Sequence, residues 1–186
     1  MKKVMIFTSS PNTDGLTAAC GQAAKKGVES SGAEVEYIRL NDLNLEKCRA
    51  CNRGWGICRE KHECIINDDF EKVHKTIEEM DAFIIITPVY WGEMSESAKV
   101  FFDRLRRCEA SKNFKNKESF LQNKPVISVA AAGGSGGGIV TCLSQMKHLY
   151  SHMGGIKFDL IGVTQKNRDF KVETIKESAS KMSAEL

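Results

Sequence analysis

Short apolar runs alternate with segments of helical periodicity along this chain, and that alternation limits the possible folds more than any other feature. The runs at 4–7, 82–86 and 126–131 are almost entirely apolar, as in strands buried on both faces of a parallel sheet. Two further runs, at 33–40 and 156–163, complete five predicted strands. Apolar residues at spacings of three and four after each strand predict helices. The sequence therefore predicts an α/β protein.

Five strands that alternate with helices favour a three-layer sandwich with a doubly wound parallel sheet. The common strand order for this count is 2-1-3-4-5, which we adopt as the prediction. A length of 186 residues suits a single domain spanning 1–186. Residues 41–67 follow the second strand without a clean period, and we interpret them as a cysteine-rich insertion loop.

Charge and hydropathy exclude several classes of protein. A net charge of +3 gives no reason to expect a nucleic-acid partner, and we interpret the basic patch at Arg104, Arg106 and Arg107 as a solvated helix end. No apolar run approaches the roughly 18 residues that span a membrane. We expect a cytoplasmic protein, where the seven cysteines would stay reduced and serve metal or redox chemistry.

The stretch from Lys3 to Thr17 reads as a strand, a polar loop and the start of a helix. Such a loop presents free backbone N–H groups at the positive end of a helix dipole, and its hydroxyl and amide side chains add donors. A phosphate would suit it, although the same residues could simply cap the helix. The loop lacks the GxxxxGK[ST] and GxGxxG patterns, which disfavours nucleoside triphosphates and dinucleotides.

The loop after the third strand, Thr87 to Ser95, is aromatic, and a glycine-rich loop at 133–138 follows the fourth strand. In the predicted strand order these loops lie beside the phosphate loop. A planar ring with a polar edge would fit between aromatic side chains and backbone groups. FMN suits that combination better than AMP. Alternatively, Tyr90 and Trp91 pack into a core or a subunit interface.

Two segments carry a family resemblance. SSPNTDGLT resembles the phosphate loop of flavodoxin-like NAD(P)H-dependent FMN reductases, and TPVYWGEMSESAKVFFDR resembles their flavin-ring loop and following helix. The resemblance implies a flavodoxin-like sandwich. It assigns the FMN phosphate to Ser9, Ser10, Asn12, Gly15, Leu16 and Thr17. It assigns the ring and ribityl chain to Pro88, Val89, Tyr90, Trp91, Gly92, Met94 and Ser95, with Gly133 and Gly134 closing the other side.

Four cysteines in the insertion loop, Cys48, Cys51, Cys58 and Cys64, have the spacing C-x2-C-x6-C-x5-C. The loop is similar to that of the iron-sulfur flavoprotein branch of the family, whose spacing C-x2-C-x2-C-x5-C is more compact. Four thiolates so close in sequence can bind a [4Fe–4S] cluster or a tetrahedral zinc ion. The sequence leaves open whether the loop binds a [4Fe–4S] cluster, a structural zinc ion or no metal at all.

We expect an FMN-dependent oxidoreductase that takes electrons from NAD(P)H or a protein donor and passes them to an unidentified acceptor. An FMN and iron–sulfur electron carrier without a small-molecule substrate is the first alternative. A zinc-stapled, non-redox module that binds another phosphate ligand is the second. Hydride transfer to flavin requires no acid–base residue, so none is assigned, and His74 is expected on the surface. The resemblance implies a homodimer or homotetramer.

Overall fold

The sheet follows the predicted strand order. The computed structural model describes residues 1–186 without a gap. Its strands are β1 (Lys3–Thr8), β2 (Glu34–Arg39), β3 (Ala82–Tyr90), β4 (Glu93–Met94), β5 (Pro125–Ala132) and β6 (Ile156–Thr164). Five of them are parallel in the order β2-β1-β3-β5-β6, which confirms the predicted arrangement. The short strand β4, which pairs antiparallel with β3, was not predicted from the sequence.

Helices cover both faces of the sheet, because the strands alternate their apolar side chains between two cores. The helices are α1 (Leu16–Ser30), α2 (Cys51–Gly54), α3 (Asp69–Ile77), α4 (Glu96–Ala110), α5 (Ile139–Ser151) and α6 (Arg168–Ala184). Val4 and Ile6 of β1 face α1 and α6, whereas Met5 and Phe7 face α3, α4 and α5. None of the helices combines the length and apolar composition needed to cross a bilayer.

The carboxyl ends of β1 and β3 lie side by side and bring the first two predicted loops together. Thr8 is in register with Ile86, and the N–H of Ser9 donates to the carbonyl of Ile86 at 3.2 Å. Beyond that point the prediction was wrong in one respect. The segment predicted as a loop from Thr87 continues as strand to Tyr90 and turns back through β4, because its backbone groups pair with each other.

Candidate functional site

The loop from Ser9 to Gly15 joins β1 to α1 and leaves hydrogen-bond donors free at the helix end. The N–H of Ala19 donates to the carbonyl of Gly15 at 3.0 Å, whereas the N–H groups of residues 16–18 have no backbone carbonyl partner. No side chain caps the helix at Gly15. Free N–H groups at the positive end of a helix dipole bind anions. This helix end can therefore hold a phosphate.

Polar side chains surround this helix end and enclose a cavity of about 230 Å³. Three of the predicted phosphate residues line it: Ser10, Asn12 and Thr17. Tyr37 and Arg39, which the sequence analysis did not single out, line it as well. They lie at the carboxyl end of β2, next to β1, so the predicted strand order was the signal that could have identified them. The free N–H groups and these donors fit the phosphate of FMN.

Ser9 and Leu16 lie beneath the loop instead of lining this cavity. Ser9 is 1% exposed, and its hydroxyl lies 3.4 Å from the carbonyl oxygen of Ile86. Leu16 is buried in the core between α1 and the sheet. Ser95, another predicted residue, donates from its hydroxyl to the carbonyl of Ser9 at 2.8 Å. In the structure these side chains hold the loop in place.

The aromatic segment forms a tight β-hairpin at the same edge of the sheet. Tyr90 pairs with Glu93, so Trp91 and Gly92 form a two-residue turn. Their φ angles of 52° and 81° are both positive, as a type I′ turn requires. Trp91 is fully exposed and Tyr90 is 46% exposed. Neither ring packs into the core, which leaves both available to a planar ligand or to a subunit interface.

The glycine-rich loop after β5 touches the tip of this hairpin. A Cβ atom at Gly138 would lie 2.6 Å from the Cα of Gly92, so only glycine at 138 permits this approach of the two backbones. Gly133 and Gly134 face open space, where an added Cβ would meet no atom within 4 Å. The three predicted loops thus meet along one edge of the sheet.

A second cavity, of about 440 Å³, opens between the phosphate loop and the hairpin. Ser9, Tyr90 and Ser95 of the predicted site line it. Its remaining wall comes from Pro11 of the phosphate loop, from the segment after β2 and from α4, which the sequence analysis did not assign to the site: Leu40, Asn41, Leu43, Leu45, Glu96, Ser97 and Val100. This wall combines apolar side chains with hydroxyl, amide and carboxylate groups, which suits a ring system with a polar edge.

Other predicted residues lie around this region with different exposure. Met94 is buried in the core beside α4 and α5. Val89 packs partly against the same core, and Pro88 is half-buried at the end of the β3–β5 pairing. These residues position the hairpin on the sheet.

The four cysteines of the insertion loop line one small cavity of about 20 Å³, together with Cys108 of α4. All five are free thiols. No three His, Cys, Asp or Glu side chains converge closely enough to hold a single metal ion. The loop backbone is strained beside Cys51, since Ala50, Asn52 and Arg53 have φ angles of 45°, 46° and 63°. Left-handed conformations of this kind cost free energy in non-glycine residues and cluster at functional sites.

The insertion loop is tied to α4 through a buried arginine. Arg104 Nη1 lies 2.6 Å from Asp68 Oδ2, and both side chains are 1% exposed. The interpretation of Arg104 as part of a solvated helix end was therefore wrong. Asp68 also caps α3 by accepting from the N–H of Phe70. The carboxylate at the start of α3 neutralises the guanidinium, which allows the charge to be buried.

His74 was expected on the surface, and this expectation was also wrong. Its Nε2 atom lies 2.6 Å from Glu109 Oε1 in a buried contact. Burial raises the pKa of Glu109, but His74, Lys112, the N–H of Phe120 and Ser119 outweigh it and lower the pKa to about 2. This network connects α3, α4 and the segment after α4. It lies away from the edge of the sheet where the three predicted loops meet.

Comparisons with known proteins agree with this architecture. The family described as NADPH-dependent FMN reductase matches residues 2–167. An iron-sulfur flavoprotein of Methanocaldococcus jannaschii is 28% identical over 195 residues, which cover 97% of this chain and 95% of the relative. This relative matches the branch that the insertion loop resembles.

Two solved structures show the flavodoxin-like fold. An NAD(P)H:quinone oxidoreductase from Methanothermobacter marburgensis has a TM-score of 0.73 at 16% identity, covering 97% of this chain and 96% of that one. A flavodoxin from the domain Archaea has a TM-score of 0.65 at 16% identity, covering 100% and 98%. The family match extends over most of the sequence and includes all three loops of the site. The chain therefore belongs to the NADPH-dependent FMN reductase family.

Proposed function

We propose that this protein is an FMN-dependent oxidoreductase that takes electrons from NAD(P)H or a protein donor. The observation that carries the proposal is the meeting of an uncapped helix end, an exposed aromatic hairpin and an open glycine loop at one edge of the sheet. FMN would supply the hydride and single-electron chemistry. The chain would hold its phosphate with the N–H groups of residues 16–18 and with Ser10, Asn12 and Thr17.

The hairpin and the second cavity would hold the rest of the cofactor. Tyr90 and Trp91 offer aromatic surface to the flavin ring, while Pro88, Val89 and Gly92 offer backbone groups to its polar edge. Gly133 and Gly134 leave room on the opposite side because they carry no side chain. No acid–base residue is assigned, and the role of the chain is to bind, orient and partly cover the ring.

We further propose that the four cysteines around this cavity would hold a [4Fe–4S] cluster, which requires the loop to open beyond the present cavity of about 20 Å³. Four thiols face one cavity together with Arg104, whose buried Nε has no hydrogen-bond partner and could donate to a sulfur atom. The names of the relatives agree with a cluster. We also propose a cytoplasmic location, where the seven cysteines would stay reduced.

Anaerobic stopped-flow reduction tests the enzymatic proposal. The FMN-loaded protein is mixed with NADPH or NADH, and flavin absorbance is followed. Rapid bleaching with either nucleotide supports the reductase. An absence of bleaching, combined with reduction by a low-potential protein donor, supports the electron carrier, which the neighbouring cysteine cavity favours as the second candidate. A protein that takes up no FMN contradicts both.

The oligomeric state belongs to the same proposal. We propose a homodimer or homotetramer, because the exposed Trp91 and Val140 leave apolar surface uncovered near the hairpin. Sedimentation velocity measures this directly. A monomer at micromolar concentration contradicts it.

A further inference from the structure

Arg104 holds both ends of the cysteine loop with two of its three nitrogen atoms. Nη1 donates to Asp68 Oδ2 at 2.6 Å and to the carbonyl of Glu46 at 3.0 Å. Nη2 donates to Asp68 Oδ1 at 2.8 Å and approaches the carbonyl of Ile66 at 3.5 Å. The four cysteines lie between these anchor points in the sequence. Arg104 therefore closes the loop around the cysteine cavity.

The third nitrogen of Arg104 has no such partner. Its Nε atom is buried and makes no hydrogen bond. Native proteins rarely leave a buried donor unpaired, least of all on a charged group. Arg104 lines the cysteine cavity alongside Cys64.

Two other arginines near this cavity are already engaged elsewhere. Arg107 donates to the carbonyl of Gly54 and lies over the ring of Trp55, with 5.2 Å from its Cζ to the ring centroid. Arg49 is exposed and pairs with Glu46 at 2.6 Å. Arg104 is thus the cation at this cavity that combines burial with a free donor.

We propose that the Nε–H of Arg104 donates a hydrogen bond to a sulfur atom of the cluster held by Cys48, Cys51, Cys58 and Cys64. The inference rests on the proposed cluster. A donor and a positive charge at the sulfur stabilise the more negative, reduced state of the cluster. Arg104 is therefore a positioning residue that makes the cluster easier to reduce, in addition to closing the loop.

The test compares R104K with D68N in the reconstituted protein. Lysine keeps the charge that faces Asp68 but lacks the Nε–H of the guanidinium fork. D68N weakens the ion pair and leaves Nε in place. Cluster potentials are measured by EPR-monitored titration, with iron and sulfide analysed in each sample. We expect R104K to lower the equilibrium constant for reduction about tenfold, or ~59 mV for a one-electron couple. We expect D68N to lower thermal stability without this shift.

A wild-type measurement keeps the inference testable if R104K does not fold. Pulsed EPR of reduced protein with ¹⁵N-labelled arginine should show a nitrogen coupled to the cluster, and R107K should retain that coupling.

Three results would overturn the inference. One is an unchanged potential in R104K with full iron and sulfide content, and another is an equal shift in D68N, which would show that Arg104 only closes the loop. The third is the absence of a coupled arginine nitrogen. Wild-type protein that takes up no iron or sulfide overturns the proposed cluster and the donor role together, while flavin binding reports separately on the FMN site.

Discussion

The hydroxyl of Ser95 donates a hydrogen bond of 2.8 Å to the carbonyl oxygen of Ser9. The N–H of Ser95 donates in turn to the hydroxyl oxygen of Thr87 at 3.0 Å. Ser95 thereby ties the base of the aromatic hairpin to the start of the phosphate loop. These buried hydrogen bonds hold the two parts of the proposed FMN site at a fixed separation.

Replacing Ser95 by alanine should loosen this connection. The variant loses a buried hydrogen bond, and we expect a loss of about 1 kcal/mol in the free energy of unfolding and a several-fold weaker affinity for FMN. Denaturant titration and flavin fluorescence measure the two effects. Ser178→Ala is the matched control, since it removes a 2.8 Å bond to Asp159 on the other side of the sheet. An equal loss of FMN affinity in both variants would contradict the role of Ser95.

A carboxylate placed at the start of α1 should exclude a phosphate while sparing the helix. Gly15 has a φ of −81°, and a Cβ there would meet only Asn12 at ordinary contact distances. Aspartate is also a good N-cap. We expect G15D to keep its thermal stability and to lose more than tenfold in FMN affinity, measured by isothermal titration calorimetry. G15A should bind nearly as wild type, and normal binding by G15D would place the phosphate elsewhere.

Trp91 occupies a left-handed turn position that suits asparagine better. The Asn-Gly pair is the preferred sequence for a type I′ turn, and the exposed Trp91 ring gains little from packing in the free protein. We expect W91N to raise the melting temperature of the FMN-free protein slightly and to weaken FMN binding through lost stacking. Differential scanning calorimetry and flavin titration provide the measurements. A lower melting temperature would show that Trp91 stabilises the free hairpin.

The four loop cysteines and Cys108 should differ in their importance for iron. Burial raises the pKa of the Cys108 thiol, so it is expected to stay protonated and outside the ligand set. Single serine substitutions at Cys48, Cys51, Cys58 or Cys64 should lower iron and sulfide content after anaerobic reconstitution. C108A should retain both. Loss of iron in C108A at unchanged fold, judged by circular dichroism, would move Cys108 into the ligand set.

The buried carboxylate of Glu109 should contribute to acid sensitivity. Its pKa falls from an ordinary 4.5 to about 2 in the folded protein. The unfolded state therefore binds the proton more readily, and the contribution of Glu109 is present above about pH 4.5 and lost as the pH falls towards 2. We expect E109Q to be less stable than wild type at pH 7 and to show a shallower decline in stability over this range. Urea titrations across pH 2–6 measure the difference, and parallel pH curves would exclude Glu109 as the source.

Hydrophobic patterning explains why the fold could be predicted and why parts of the site could not. The buried runs of β1, β3 and β5 stand out locally because both faces of these strands are covered by helices. Side-chain direction at the loops is set by distant partners instead. Ser9 carries the same hydroxyl as Ser10, yet it bonds to Ile86 and lies outside the helix-end cavity, where Ser10 is found.

The partners of the buried charged residues could not be predicted from the sequence either. Arg104 and Arg107 are separated by two residues in one basic stretch, but helical spacing places Arg104 beside Phe101 and Cys108 at the flank of the apolar face and Arg107 on the opposite face. Asp68 approaches from 36 positions away and allows Arg104 to be buried, while Arg107 packs on Trp55. His74 is buried by Glu109 in the same way. His74 shares the helix face of Phe70 and Ile77, so helical spacing indicates its position, whereas the carboxylate partner depends on which helices meet.

The sequence by itself determined the five-stranded α/β sandwich, the loops that meet at its edge and the spacing of the cysteines, because these depend on local patterns of apolar, glycine and cysteine residues. Only the tertiary structure decided that the aromatic segment is a hairpin and that Tyr37 and Arg39 border the helix-end cavity. It also decided that Arg104 closes the cysteine loop and leaves its Nε donor unpaired. Those features arise from contacts between residues far apart in the chain, where the cost of burying a polar group is met by a partner that no local pattern identifies.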